Sequence, residues 1–275
     1  MSSRNSVQNF SESSSERSPL QASGDRPVPS LEPLQVLGLP VHYSDQYLRW
    51  LAAQLQQQQG VHVVTLNAEM AMQARENAAL AEVIHQANLV VPDGAGVVLY
   101  FRLRGRVIPR CPGIELSEAL LQYLGTTAQT EIPELSRRSA FFFGGAPGVT
   151  QQAAELWQSR LPRLAIAGTQ HGYLSDDERS ELLHHLEATQ PGVIFVGLGV
   201  PRQEFWIAQN RDRCPHSIWI GVGGSFDIWA GTKTRAPRWL RDNHLEWVYR
   251  LYQEPWRWRR MLALPRFAWC ALRHS

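Results

Sequence analysis

Short apolar segments alternate with longer segments of mixed apolar and polar residues along most of the chain. The apolar segments have strand length and the intervening segments have helix length. The apolar runs are 34–41, 61–66, 88–92, 140–144, 164–168, 193–197 and 218–221. Strands that are apolar throughout are typical of sheets covered on both faces, and helices between them favour parallel pairing. The pattern therefore predicts an α/β fold with a mostly parallel sheet and helices on both faces.

The alternation has a beginning and an end, and these divide the chain into three regions. Residues 1–33 are rich in Ser, Glu, Arg and Pro, so we predict a disordered tail. Residues 34–232 form the predicted α/β core. Residues 233–275 lack strand-like runs and are predicted to be a helical appendage with a break at Glu254-Pro255, because the residue before proline avoids helical geometry.

Charge and tryptophan are unevenly distributed between these regions. The 275 residues carry a net charge of +2, but residues 233–275 carry ten basic and three acidic side chains, which leaves the remainder at −5. Five of the ten Trp residues also lie in this last region. A basic segment of this kind indicates contact with phosphate, nucleic acid or a membrane surface, and its Trp residues suit the headgroup region of a membrane.

Other classes of protein are disfavoured by the composition. The three Cys residues are far apart and the nine His residues show no metal-ligand spacing, so we predict neither a disulfide framework nor a bound metal. Residues 1–30 have no apolar segment typical of a signal peptide. No apolar stretch is long enough to span a bilayer, and the widely spaced thiols favour the reducing cytosol, so we expect a cytoplasmic protein.

Polar side chains follow two of the predicted strands, where sheets of this class bind ligands. Thr65 and Asn67 follow the strand 61–66, and Asp93 follows 88–92. Asp93 is a candidate general base and the other two are candidate partners of a substrate. Helix capping accounts equally well for Thr65 and Asn67, and a turn accounts equally well for Asp93.

Glycine-rich turns after three further strands are candidate anion or nucleotide sites, because free backbone N–H groups at a helix start favour an anion. The residues are Gly145 after the fourth run, Gly197, Gly199, Gln203 and Glu204 after the sixth, and Asp227 after the last. Tight turns explain the glycines without a ligand, and a glutamate is favourable in any first helical turn. Asp227 is a candidate second catalytic carboxylate or a structural partner of Arg235, and we favour the second interpretation.

Arginines recur in the appendage at Arg250, Arg257 and Arg260. On one continuous helix they would share a side, although Pro255 makes this conditional. We take them as candidate diphosphate ligands, because arginine binds phosphate through two parallel hydrogen bonds. A solvated basic helix is the alternative.

Taken together, these motifs resemble those of the WecG/TagA/CpsF family of bacterial glycosyltransferases, in order and over about residues 34–265. The matching elements are Thr65-x-Asn67, Asp93-Gly94, Arg110-x-x-Gly113, Gly144-Gly145-x-Pro-Gly148, His171-Gly172-Tyr173, Gly197-x-Gly199-x-Pro-x-Gln203-Glu204, Gly221-Val-Gly-Gly-x-Phe-Asp227, Gly231, Arg235-Ala-Pro237, Glu246-Trp247-x-Tyr249-Arg250 and Pro255-x-Arg257-x-x-Arg260. The resemblance implies a Rossmann-like core and an inverting, UDP-sugar-dependent transferase of surface polysaccharide biosynthesis. The implied acceptor is linked to polyprenyl diphosphate, and the implied sugar is N-acetylmannosamine or a related one.

The resemblance also implies roles for single residues. Asp93 matches the proposed base, Thr65 and Asn67 match its neighbours, and Gln203 matches a residue of the nucleotide site. Arg250, Arg257 and Arg260 match arginines that bind diphosphate from the appendage. The family's appendage also helps to hold the enzyme on the inner face of the plasma membrane.

Two rival functions remain open from the sequence. A nucleotide-binding regulator could use the same sheet edge without catalysis, and a nucleic-acid-binding protein could use the basic appendage. We expect a transferase with no nucleic-acid partner, no metal and a UDP-sugar as co-substrate. A homo-oligomer is compatible with the sequence but not predicted by any feature of it.

Overall fold

The computed structural model describes residues 27–127, 132, 134–243 and 245–273. Most of the predicted tail, residues 1–26, lies outside this part of the chain. The first strand begins at Glu32, so the expected boundary at residue 34 falls inside an ordered strand.

Eight strands and thirteen helices occur in the described residues. The strands are β1 Glu32–Val36, β2 Leu39–Tyr43, β3 Val61–Leu66, β4 Leu89–Pro92, β5 Ser139–Gly144, β6 Ala165–Gln170, β7 Val193–Gly197 and β8 Ile218–Gly221. The helices are α1 Tyr47–Gln56, α2 Ala68–Glu76, α3 Ala78–His85, α4 Ala95–Leu103, α5 Gly113–Thr126, α6 Val149–Arg160, α7 Asp176–Thr189, α8 Arg202–Asn210, α9 Ser225–Trp229, α10 Arg238–Asp242, α11 Glu246–Gln253, α12 Trp258–Met261 and α13 Ala263–Arg273.

Six strands form one sheet in the order β4-β3-β8-β7-β5-β6, and every neighbouring pair is parallel. Every residue of β3, β4, β5 and β8 is buried, as their apolar composition requires. The edge strand β6 is only half-buried. The predicted Rossmann-like α/β fold is therefore confirmed.

Alternate residues of the strands pack into opposite layers. On β5, Phe142 joins the cluster formed with α1, α5, α6 and α9, whereas Phe141 and Phe143 join a cluster with α7 and α8. On β3, Val63 joins the first of these clusters, and Val64 packs with α2, α3 and α4. Because successive side chains of a strand point to opposite faces, a continuous apolar run supplies both layers and requires helices on each.

The run 34–41 folds as a hairpin and not as a single strand of the main sheet. Leu37 and Gly38 both have positive φ and form the tight turn between the antiparallel strands β1 and β2. The hairpin lies beside β4, where the backbone N–H of Val90 donates to Nδ1 of His42 over 2.9 Å.

The appendage consists of short helices that bury little. Helices α10, α11 and α12 contain no buried residue, and α13 packs Phe267 and Ala271 against α2 and α4. Helix α11 ends at Gln253, directly before the expected break at Glu254-Pro255. Within the described residues, no helix has both the length and the apolar character needed to cross a bilayer.

Candidate functional site

The carboxyl ends of the parallel strands meet at one edge of the sheet. Leu66 at the end of β3 pairs with Pro92 at the end of β4, and Val196 on β7 pairs with Gly221 on β8. The residues that follow these strands are therefore neighbours, as expected for a ligand site of a doubly wound sheet.

Two adjoining cavities lie at this edge, both covered by the appendage. The glycine cavity is lined by residues after β3, β7 and β8, among them Thr65, Gly199, Gln203, Gly223 and Lys233. The Asp93 cavity is lined by residues after β4 and by the apolar side chains Trp247, Met261 and Leu264. Both cavities share Asn67, Glu69, Glu246, Arg250 and Arg260. Core and appendage thus build one continuous site.

Asp93 is half-buried, and its position is fixed by the backbone. Its own N–H donates to the carbonyl of Leu66 over 3.0 Å, and the N–H of Gly113 donates to its Oδ1 over 3.2 Å. Burial raises the pKa of Asp93 to about 6, although Arg250, the Gly113 N–H and Arg110 act in the opposite direction. A carboxyl group with this pKa is largely ionised at pH 7 and can accept a proton.

Thr65 and Asn67 line the glycine cavity and also have structural roles. Asn67 accepts the N–H of Met70 over 3.0 Å and so caps α2. The hydroxyl of Thr65 donates to the carbonyl of Gly221 over 3.3 Å. The side chain of Thr65 also lies so close to Gly113 that a Cβ there would sit 2.7 Å from its Cγ2. The capping interpretation is therefore correct for Asn67, and both residues border the cavity as well.

Gln203 holds the two glycine loops together. Its Oε1 accepts the N–H of Gly199 over 3.2 Å and that of Gly223 over 3.1 Å. Both glycines have positive φ and line the cavity, so the left-handed conformation needs glycine at these positions. Gln203 therefore shapes the wall of the predicted nucleotide site.

Three other predicted nucleotide-site residues lie behind this wall. Glu204 is fully buried, with its oxygens bonded to His62 and Gln203, so it faces the core and not the cavity. Gly145 donates its N–H to the carbonyl of Gly197 over 3.1 Å and thereby joins the loops after β5 and β7. Neither glycine lines the glycine cavity. Their prediction as direct ligands lacks support in the geometry.

Asp227 has a different partner from the one we expected. Its Oδ2 lies 3.0 Å from Nζ of Lys233, whereas Arg235 contacts Glu115 at 2.5 Å and Glu246 at 3.9 Å. The predicted Asp227–Arg235 pair is wrong, because Arg235 turns toward α5. Asp227 does not line the glycine cavity but fixes Lys233, which does.

The carboxylate of Glu246, on the appendage, pairs with arginines of both the core and the appendage. Arg110 lies 3.4 Å from Glu246 and Arg250 lies 3.3 Å from it. Arg260 lies 3.8 Å from Glu69. Arg250 and Arg260 border both cavities although they lie on different helices. The side chain of Arg257 lies outside the described residues.

Sequence reasoning missed Lys233 and Glu69 as members of the site. Lys233 lies between Asp227 and Glu254, at 3.0 and 3.1 Å. No local signal marks either residue, since a lysine or glutamate on a helix or loop is ordinary surface composition. Among the described residues, no three His, Cys, Asp or Glu side chains are grouped to hold a metal.

Comparison with known proteins gives a consistent result. Residues 34–275 match the model of the glycosyl transferase WecG/TagA/CpsF family. A Bacillus spizizenii protein named N-acetylglucosaminyldiphosphoundecaprenol N-acetyl-beta-D-mannosaminyltransferase is 35% identical over 80% of this chain and 82% of its own length. Proteins of the same name from Bacillus subtilis and Staphylococcus aureus are 33% and 34% identical, over 86% and 74% of this chain and 84% and 77% of their own lengths.

Proposed function

The chain belongs to the WecG/TagA/CpsF family of glycosyltransferases, and we propose that it moves an N-acetylmannosamine-type sugar from a UDP-sugar to a polyprenyl-diphosphate-linked acceptor. The acceptor is taken from the names of the relatives, which describe transfer to N-acetylglucosaminyldiphosphoundecaprenol. The product would serve the biosynthesis of a surface polysaccharide.

The observation that carries this proposal is the position of Asp93 beside cavities that arginines also line. In the proposed step, Asp93 takes the proton of an acceptor hydroxyl as its oxygen attacks C1 of the sugar. The bond between C1 and the diphosphate oxygen breaks, and UDP leaves with that electron pair. Attack from the face opposite the leaving group inverts the configuration at C1.

The departing diphosphate needs positive charge. Arg250 and Arg260 border both cavities and carry this role in the proposal, together with Arg257. The loops of Gly199 and Gly223 line the same space, but the N–H groups of these two glycines already donate to Gln203, so the arginines carry this role in the proposal. Arginines can stabilise such charge without a metal.

The acceptor is assigned to the side of the Asp93 cavity, where apolar groups from α11, α12 and α13 replace the glycine loops. The Trp side chains of the appendage are exposed and interleaved with arginines, a pattern suited to a membrane interface. The enzyme would therefore work as a peripheral protein on the inner face of the plasma membrane.

A transfer assay tests the proposal. The full chain is incubated with a panel of UDP-sugars and a synthetic N-acetylglucosamine-diphosphate-polyprenyl acceptor, and products are identified by mass spectrometry. We expect one N-acetylhexosamine to be added from UDP-N-acetylmannosamine. Asp93→Asn should lower the rate by about 10³-fold, the range of general-base catalysis, while UDP binding persists.

Asp212→Asn is the matched control, because Asp212 lies at the opposite end of the sheet. Failure of the wild-type chain to use any UDP-sugar would refute the donor. Near-normal turnover by Asp93→Asn would refute the assignment of the base.

A further inference from the structure

Three buried polar side chains form a hydrogen-bonded network that runs from the start of β3 to the glycine cavity. His62 on β3, with Gln203 and Glu204 in the first turn of α8, have exposed fractions of 2%, 1% and 0%. Nε2 of His62 lies 2.9 Å from Oε2 of Glu204, and Nε2 of Gln203 donates to Oε1 of Glu204 over 2.9 Å. Polar groups buried this completely are costly unless each finds a partner.

The partners fix the orientation of the Gln203 amide. The N–H groups of Gly199 and Gly223 can only donate, so the atom of Gln203 that faces them must be its oxygen. The amide nitrogen then faces Glu204, whose Oε1 accepts from it. A reversed amide would place donors against both glycine N–H groups and oxygen against oxygen at Glu204.

His62 completes the network by bonding the other oxygen of Glu204. Space around Gln203 and Glu204 is tight, because a Cβ at Gly221 would lie 2.3 Å from Nε2 of Gln203 and 2.6 Å from Oε1 of Glu204. Without His62, Oε2 of Glu204 would be buried without its partner. Rotation of the Glu204 carboxylate away from Gln203 would then be energetically favourable.

The end of this hydrogen-bonded network that faces the cavity consists of the two glycine loops. Gly199 and Gly223 have positive φ and no side chain to anchor them, and one acceptor atom, Oε1 of Gln203, joins them. The backbone N–H of Val222 ties the start of the loop after β8 to Val196 on β7, and beyond it the Gln203 amide sets the separation of Gly199 and Gly223.

We propose that His62 and Glu204 are positioning residues of the nucleotide site, which set the glycine loops through Gln203 without touching the ligand. The inference rests on the proposed function in one respect, since it takes UDP as the ligand of the glycine cavity. A purely structural role would require only that the three side chains satisfy one another.

The test compares His62→Leu with His62→Gln in the full chain. Leucine removes the partner of Glu204, whereas the glutamine amide can still donate to it. Ser217→Ala is the control, because the buried Ser217 hydroxyl binds the carbonyl of Pro191 at the far end of β8. The readouts are amide hydrogen exchange at Gly199 and Gly223 and the Kd of UDP by calorimetry.

We expect His62→Leu to speed exchange at both glycines and to raise the Kd of UDP about tenfold, the effect of losing one buried hydrogen bond. His62→Gln should restore most of this loss, and Ser217→Ala should change neither readout. If His62→Leu does not fold, the double variant His62→Leu/Glu204→Leu removes both partners of the His62–Glu204 contact and leaves no charge unpaired.

Unchanged exchange and an unchanged Kd in the leucine variants would overturn the inference. Equal effects of Ser217→Ala would overturn it as well, because they would show that any loss of a buried hydrogen bond in this part of the fold raises exchange and the Kd. If the wild-type chain does not bind UDP, the proposed donor fails, and the exchange of Gly199 and Gly223 decides the positioning role alone.

Discussion

Three tryptophans of the core and the five of the appendage have opposite environments. Trp157, Trp219 and Trp229 of the core are at most 3% exposed, whereas all five Trp residues of the appendage are between 40% and 71% exposed. The exposed five are Trp239, Trp247, Trp256, Trp258 and Trp269. The same residue type therefore stabilises the fold in one region and remains available to a partner surface in the other.

The two regions also differ in how they are held. The core is held by apolar layers on both faces of the sheet. The appendage is held to the core by ion pairs such as Arg110–Glu246, Arg235–Glu115 and Arg260–Glu69, and by the apolar side of α13. A region held in this way keeps its aromatic residues exposed while its cations reach the site.

Replacing one tryptophan of the core and, separately, two of the appendage would test the contrast most strongly. Trp229 packs against four aromatic rings and donates to Glu118 over 3.1 Å. Trp229→Ala should lower the free energy of unfolding by about 3–5 kcal/mol. Trp256→Ala/Trp258→Ala should change it by less than about 0.5 kcal/mol but weaken binding to phosphatidylglycerol vesicles.

Chemical denaturation and vesicle co-sedimentation measure the two effects. Loss of stability in the appendage variant would show that its tryptophans support the fold, and unchanged vesicle binding would show that they do not form a membrane contact.

Removing appendage cations should affect catalysis and leave the core intact. Arg250→Ala/Arg260→Ala should lower kcat/KM about 100-fold, because two charge-assisted contacts to the leaving diphosphate are lost. Arg238→Ala is the control, since Arg238 is 87% exposed and, within the described residues, its ion pair is with the neighbouring Asp242 alone. Steady-state kinetics with unchanged thermal unfolding would support the assignment, and an equal fall in Arg238→Ala would contradict it.

Ionisation of the buried Asp93 should lower the stability of the folded chain. Burial disfavours the ionised form of Asp93 and raises its pKa from 3.8 to about 6 in the folded state. This penalty is complete above pH 6 and vanishes below the unfolded pKa. Asp93→Asn should therefore stabilise the chain by about 1–3 kcal/mol at pH 7.5 and by nothing near pH 3.5.

Denaturation of both proteins at the two pH values measures the difference. Equal stability at pH 7.5 would mean that the carboxyl group is not desolvated.

The core could be predicted closely because its strands are apolar throughout. The bounds of β3, β7 and β8 agree with the apolar runs, and Ser175 and Glu178, whose spacing in the sequence is typical of a capping box, form one at the start of α7. The hairpin in 34–41 was missed because its turn residues, Leu37 and Gly38, do not interrupt the run of apolar residues. A turn made by positive φ at a leucine leaves no mark in hydropathy.

The site was less predictable because its pairs join distant parts of the chain. Sequence proximity favoured Asp227–Arg235, but Arg235 pairs with Glu115 on α5, which local spacing cannot reveal. Glu204 looked like a ligand beside glycines and is a buried partner of His62, 142 positions earlier. His62 itself stands in an apolar strand with no motif around it.

The central claim is that core and appendage form one electrostatic site, and the pH dependence of Arg250→Gln tests it most directly. Arg250 is the strongest of the charges that lower the pKa of Asp93. In the wild-type chain, kcat/KM should fall below a midpoint near pH 6 as Asp93 is protonated. Arg250→Gln should move that midpoint upward by about 0.5 pH or more, while Arg238→Gln leaves it in place. An unchanged midpoint in Arg250→Gln would contradict the account, because the appendage would then exert no field on the base.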